Sequence, residues 1–244
     1  MPKRKVPVNL VGSSPQTADL VSPRPFRRTA FRPRSSTRST AIKMRRLTQA
    51  ERTGLSDSRM LAAAVDLINQ RGTANTTLKD VGESAGYSRG LASSRFGSKD
   101  RLFFELLDQF NRRWKEESDN AVKQQTGLDA LRSANLALIH FFQTESKFIR
   151  VMYLIAYETV GGSELMRAQL AEQHEAYRHG VAHWIQAAGA AGQLKKHVSP
   201  ERVALQYCSA VFGIIYQWLV NSEAIDCIQA LEDLREDTIE SITV

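Results

Sequence analysis

From Ser56 onward, apolar residues recur with the 3.6-residue period of helices. Leu61, Ala64, Val65 and Ile68 stand at i, i+3, i+4 and i+7, and Gly72 supplies a C-terminal stop, which predicts a first helix. Thr77-Leu78-Lys79-Asp80 then has the form of a capping box, so a short second helix burying Leu78, Val81 and Ala85 is expected to begin there. Gly86 ends it, because a left-handed residue lets the chain turn sharply. Ser88 is placed to cap a third helix, Arg89 to Arg95, with Ala92 and Phe96 on its buried side; Gly97-Ser98 ends it and caps a fourth from Lys99.

Further along, Leu128 to Phe142 and Phe148 to Tyr157 read as helices, the second apolar nearly all round and therefore buried. Met166, Leu170, His174, Tyr177, Val181 and Trp184 form one apolar stripe of a long helix after Gly161-Gly162. Ser199-Pro200 pairs a cap with a first-turn proline. The helix that follows is apolar on two faces: Val203, Tyr207, Val211, Ile214 and Trp218 on one, and Ala204, Cys208, Ile215 and Leu219 on the other. One face packs inward and the second needs a partner. A final helix with Ile225, Ile228, Leu231 and Leu234 completes a pair that a two-fold axis turns into an intermolecular four-helix bundle. The expected dimer contacts are Ala204, Cys208, Ile215, Leu219, Ile228 and Leu231. The alternative is that both helices finish an ordinary monomer core.

The fold class predicted is all-α: an N-terminal three-helix helix-turn-helix domain, residues 48–115, and a C-terminal helical domain that carries the dimerisation helices, residues 116–244. A hydrophobic content of 42% is enough to bury a core without disulfide staples. Cys208 and Cys227 lie in apolar periodic segments where free thiols are expected, which fits a reducing, cytoplasmic home. No run of 18 apolar residues occurs, and no membrane partner is expected.

The net charge of +7 changes meaning once it is placed along the chain. Residues 1–46 carry 12 Lys/Arg against one acid, residues 47–115 carry 11 against 8, and residues 116–244 carry 10 against 17. Positive charge in the folded part is thus modest and confined to the helix-turn-helix third. The first 47 residues, rich in Arg, Ser and Thr and holding six of the seven prolines, read as a disordered basic tail. Three readings stay open for it: an arm on DNA, a transit peptide, or a start codon placed too early, with Met44 as the alternative start.

Two short helices joined by a Gly-containing turn can place the second in a DNA major groove about 12 Å wide. With Ala92 and Phe96 anchored inward, the N-terminal half of the third helix is left to meet bases and phosphates. Arg89 is the candidate fork for guanine, Gly90 permits close backbone approach, and Leu91 reaches a thymine methyl. Ser88, Ser93 and Ser94 are short enough to bond phosphate or base. Lys99, at the positive end of the fourth helix, and the hydroxyls of Thr76 and Thr77 are candidates for phosphate.

At these residues the chain resembles the TetR family. Ser58-Arg59-Met60-Leu61, Ala62-Ala63, Gly72, Thr76-Thr77, Val81, Ala85-Gly86, Ser88-Arg89-Gly90 and Phe96-Gly97-Ser98-Lys99-Asp100 follow its N-terminal pattern. The resemblance implies a homodimeric transcriptional regulator, by family default a repressor, whose C-terminal domain binds a small-molecule effector and thereby alters affinity for a palindromic double-stranded operator. One departure is plain: Ala92-Ser93 stand where the family usually carries Leu-Tyr, the Tyr contacting the DNA backbone. The resemblance fades after about Arg113 and leaves the effector unspecified.

Two other chemistries have a footing in the sequence. Gly86-Tyr87-Ser88-Arg89-Gly90 spells G-x-S-x-G, the nucleophile elbow of serine hydrolases, but that motif needs a strand before the serine, whereas a capped helix precedes Ser88. No enzymatic activity is expected. Glu175, His179 and His183 share a helix face at i, i+4 and i+8, which raises a metal-responsive alternative; the outer two are more than about 10 Å apart, too far for one ion. No metal and no cofactor are therefore expected. Candidate effector-pocket residues are Trp114, Phe141, Phe142, Met152, Tyr153, Tyr157, His174, Tyr177 and Trp184, whose apolar bodies and few polar tips favour an aromatic or lipophilic ligand.

Overall fold

The computed structural model describes residues 48–244, so the basic tail and Met44 lie outside the described residues. Helix α1 (Gln49–Arg71) begins two turns before Ser56. Its start is a capping box: the Glu51 amide donates to Thr48 Oγ1 at 3.2 Å and the Thr48 amide to Glu51 Oε2 at 2.7 Å. Those first turns are mostly polar and exposed and carry no apolar period, so hydrophobic spacing alone starts the helix late.

Two short-range caps set the next elements. Thr77 caps α2 (Leu78–Ser84) with a full capping box to Asp80, and Ser98 caps α4 (Lys99–Val122) by accepting from the Arg101 amide. Between them lies α3 (Arg89–Phe96); Ser88 occupies its N-cap position, but its side chain makes no capping bond. Helix α4 runs unbroken across residues 115 and 116. The two helices expected from Leu128 to Tyr157 are the halves of α5 (Gly127–Val160), which breaks helical geometry at Glu145 (φ −122°, ψ 25°). Helices α6 (Glu164–Ala190), α7 (Pro200–Val220) and α8 (Cys227–Ile242) follow.

The helix-turn-helix does not stand on a core of its own. Met60, Ile68, Val81, Ala92, Leu102 and Leu106 share one cluster with Val151 and Ile155 of α5 and Met166 of α6. Asn69 of α1 adds a bond from its Nδ2 to the Lys147 carbonyl at 3.0 Å. The second half of α5 is thus the seat of the α1–α3 unit. Its first half joins α6, α7 and α8 in a second cluster that includes Leu131, Ile185, Ala204, Tyr207 and Ile239.

The dimer face expected on α7 is corrected by its burial. Ala204, Cys208, Ile215 and Leu231 are buried inside the chain itself, and Leu219 and Ile228 pack partly against the cluster around Phe142. The apolar arc of α7 is wider than two rows. Its outermost row, Leu205, Phe212, Tyr216 and Val220, lies further round the helix, with Leu205 and Val220 more than half exposed (53% and 66%). By length and composition α7, with mean hydropathy 1.5, could cross a membrane; here its apolar side chains are used on its helix neighbours and on this outer row. Burial pushes the free thiols of Cys208 and Cys227 up to about 11, which keeps them protonated.

Candidate functional site

The reading unit is held at a fixed angle by its turn. Gly86 takes φ +80°, a left-handed conformation open to glycine, and the Tyr87 amide donates to the Gly82 carbonyl at 2.9 Å. Gly82 matters for a different reason: a Cβ there would stand 2.8 Å from the Ser88 carbonyl oxygen, so α2 approaches the start of α3 as closely as only glycine allows. Ala92 (0% exposed) and Phe96 then pin α3 to the core.

The predicted contact residues divide once placed. Ser88, Arg89, Gly90, Ser93 and Ser94 are exposed on one end of α3. Leu91 is half-buried and packs on the core of the reading unit, so it offers less to a thymine methyl than its position promised. Thr76 is a correction: it is buried, and its hydroxyl donates to the Gly72 carbonyl at 2.8 Å, where it ties off the end of α1 rather than reaching phosphate. Thr77 is exposed, but its hydroxyl donates to Asp80 Oδ2 at 2.6 Å within the cap. These bonds, with Arg71 at 2.8 Å, hold the Asp80 carboxyl below its ordinary range. Thr76→Val should cost about 1 kcal/mol in stability and leave the salt dependence of DNA binding unchanged; a shallower salt dependence would return Thr76 to the phosphates.

Both arginines of α3 carry a carboxylate partner. Arg89 Nε pairs with Glu83 of α2, and Arg95 Nε donates to Asp57 of α1 at 2.6 Å. Exposed pairs of this kind contribute little, so a phosphate or a guanine edge competes with them easily. Arg95 was not among the residues singled out from the sequence; a basic residue in the last turn of the reading helix was the available signal. Lys99 turns toward the second half of α5, with Nζ 3.8 Å from Glu158 Oε1 and 5.4 Å from the centre of the Phe103 ring.

The nine expected pocket residues fall in several places. Tyr153, Tyr157, His174 and Tyr177 come together through two residues not foreseen, Phe212 and Tyr216 of α7. His174 lies 4.6 Å from the Phe212 ring, Tyr153 6.3 Å from it, and Tyr157 5.2 Å from Tyr216. Tyr153 donates to the Phe212 carbonyl at 3.2 Å and Tyr177 to Asn111 Oδ1 of α4 at 2.8 Å. Desolvation raises both phenols and lowers His174, so the cluster is uncharged near neutrality. Trp114 and Phe141 belong instead to a stack with Phe110, Phe142 to a pair with Trp218, Trp184 to a small cluster with Val122, Ala130 and Ala134, and Met152 to the core under the reading unit.

Neither alternative chemistry finds support. Ser88 follows α2 rather than a strand, and the one extended pairing among the described residues is the isolated bridge between Leu194 and Thr243. Glu175, His179 and His183 are exposed, and no group of three ligating side chains able to hold a metal occurs among the described residues.

Comparison with known proteins agrees with this geometry. Residues 60–106 match the profile of the bacterial regulatory proteins, tetR family. A probable HTH-type transcriptional regulator, ArpR of Pseudomonas putida, is 24% identical over 180 residues, covering 72% of this chain and 85% of its own. The structure of SmeT in complex with triclosan shares the fold at a TM-score of 0.67 and 18% identity, covering 78% of this chain and 92% of that one. A regulator from Saccharomonospora viridis in complex with choline does so at 0.68 and 15%, over 78% and 99%. The matched segment is the same capped α2–turn–α3 unit that exposes Ser88 to Ser94; in it the chain is similar to the tetR family, and the chain is a DNA-binding transcriptional regulator.

Proposed function

We propose that the protein is a cytoplasmic homodimeric repressor that grips a palindromic operator through α3 and is released by an uncharged, aromatic or lipophilic effector bound among Tyr153, Tyr157, His174, Tyr177 and Phe212. The observation that carries this reading is the double use of one segment. The second half of α5 seats the reading unit through Val151, Met152 and Ile155 and bears Tyr153 and Tyr157 on the side toward α7. A ligand that parts these rings moves the seat, and so has different affinities for the DNA-bound and free states. The triclosan and choline complexes of similar structures support a small-molecule effector as a class. Ser88, Arg89, Gly90, Ser93, Ser94 and Arg95 are the proposed DNA contacts, with Arg89 on bases and the serines on phosphate. Residues 48–115 are the proposed DNA-binding part and residues 116–244 the effector and dimer part.

A compound library screened for release of bound operator duplex tests the effector half. Compounds that release the wild type should lose about tenfold or more in potency against Phe212→Ala and Tyr177→Phe. Equal potency on all three proteins would place the effector elsewhere.

Dimerisation is proposed through the outer row of α7, where Leu205 and Val220 are more than half exposed and Tyr216, though it meets Tyr157, is exposed on its outer side. Two reading helices must stand about 34 Å apart to enter successive major grooves, which calls for a two-fold pairing of the chain. The paired variant Leu205→Glu and Val220→Glu should convert a dimer to a monomer in sedimentation and reduce operator affinity by at least about 100-fold, since half of the contacts are lost. A dimer that survives both changes would move the interface off this row.

A further inference from the structure

Helix α5 changes direction at Glu145, and a residue of α4 holds it there. Thr144, just before the break, donates its hydroxyl back to the His140 carbonyl at 3.0 Å, a local bond that bends helices. Glu145 departs from helical geometry and receives Arg113 Nη1 of α4 at 3.0 Å on its carboxylate. The Arg113 guanidinium also lies 5.3 Å from the centre of the Phe148 ring, the first large apolar residue after the break. Arg113 therefore touches the break itself and the segment beyond it.

The position of this contact gives it a consequence. Before the break, Leu128 and Leu131 belong to the core built with α6, α7 and α8; after it, Phe148, Val151 and Ile155 belong to the core under α1–α3. Helix α4 joins the second through Leu102 and Leu106, and through Phe110 and Trp114 it packs on a third cluster, around Phe141, that holds α5 residues from both sides of the break together with Ile215 of α7 and Leu231 of α8. The angle at Glu145 thus sets the orientation of the reading unit relative to the C-terminal helices. We propose that Arg113 and Glu145 are positioning residues for operator binding: their ion pair selects one bend of α5 and with it one placement of α3. This rests on α3 being the DNA reader. Exposed ion pairs contribute little to stability, but one that is made in one bend and broken in another shifts the balance of the two severalfold.

The experiment uses the full chain and a duplex selected from random DNA by the wild-type protein. Arg113→Met and Glu145→Gln should each change affinity for that duplex about fivefold or more, in the same direction, with unchanged base preference and unchanged salt dependence. The double variant should be no worse than either single, and the exchange Arg113→Glu with Glu145→Arg should return affinity to within about twofold of wild type. Glu145→Asp, whose shorter side chain misses the guanidinium, gives the same readout if either neutral variant fails to fold. The proposal is overturned if melting temperature falls while affinity stays put, or if the single effects add in the double variant. Failure of the wild type to select any duplex would instead strike the DNA-reading assignment beneath it.

Discussion

Gly82→Ala is expected to destabilise the protein and to lower operator affinity by more than about tenfold, against the sign that helix propensity predicts. In an unconstrained helix interior, replacing glycine by alanine is favourable by about 0.8–1 kcal/mol. Here the added methyl would stand 2.8 Å from the Ser88 carbonyl oxygen and 3.7 Å from the Ala92 Cβ. The carbonyl belongs to the backbone at the head of α3 and cannot swing aside like a side-chain tip. Helix α2 must then lift off α3, an overpacking that costs about 1–3 kcal/mol, and the angle between the two helices is what presents Arg89 to Ser94. Thermal melting and a binding titration on the same preparation check this. A more stable protein with unchanged affinity would mean that the close approach at Gly82 does not shape the reader.

Asn135→Leu should lower the melting temperature by roughly 5–12 °C, the equivalent of about 2–4 kcal/mol in a chain of this size. Asn135 is 1% exposed and sits where α5, α7 and α8 meet. Its amide donates to Tyr207 Oη at 2.8 Å and to the Leu231 carbonyl at 3.1 Å, and its oxygen accepts from Arg235 Nη1 at 3.3 Å. Leucine keeps the same branched skeleton and leaves no cavity, so the loss reports chiefly on polar partners: the phenol, held protonated with its pKa raised to about 12, and a mostly buried guanidinium are left without it. A shift below about 2 °C would mean that water or repacking replaces all three bonds.

How far the sequence revealed these features depended on range. The caps at Thr77 and Ser98, the turn at Gly86 and the anchors Ala92 and Phe96 were all legible, because each is decided within four residues of chain. The start of α1 was legible too, but in the Thr48–Glu51 box rather than in apolar spacing. Burial across elements was not. Thr76 reads as an ordinary exposed hydroxyl before a cap until the end of α1 is seen beside it. On α7 the apolar arc is broad, and spacing reveals its width but not which rows its neighbours cover; Ala204, Cys208 and Ile215 were covered and Leu205 was not. Likewise the aromatic residues were visible as a group, while only the packing of α7 brings Phe212 and Tyr216 to Tyr153, Tyr157, His174 and Tyr177 and sends Trp184 elsewhere.

The central claim is that α3 reads sequence, and base preference is the quantity that separates reading from mere phosphate attraction. Selection from random duplex DNA, run in parallel with wild type and Arg89→Ala, measures it directly. Wild type should enrich a two-fold symmetric site with half-sites one helical turn, or a whole number of turns, apart, and Arg89→Ala should relax the preference at one position in each half-site at a loss of about 1–3 kcal/mol. Enrichment of no site by the wild type, or an identical site and affinity in Arg89→Ala, would contradict the placement of the reading surface on α3.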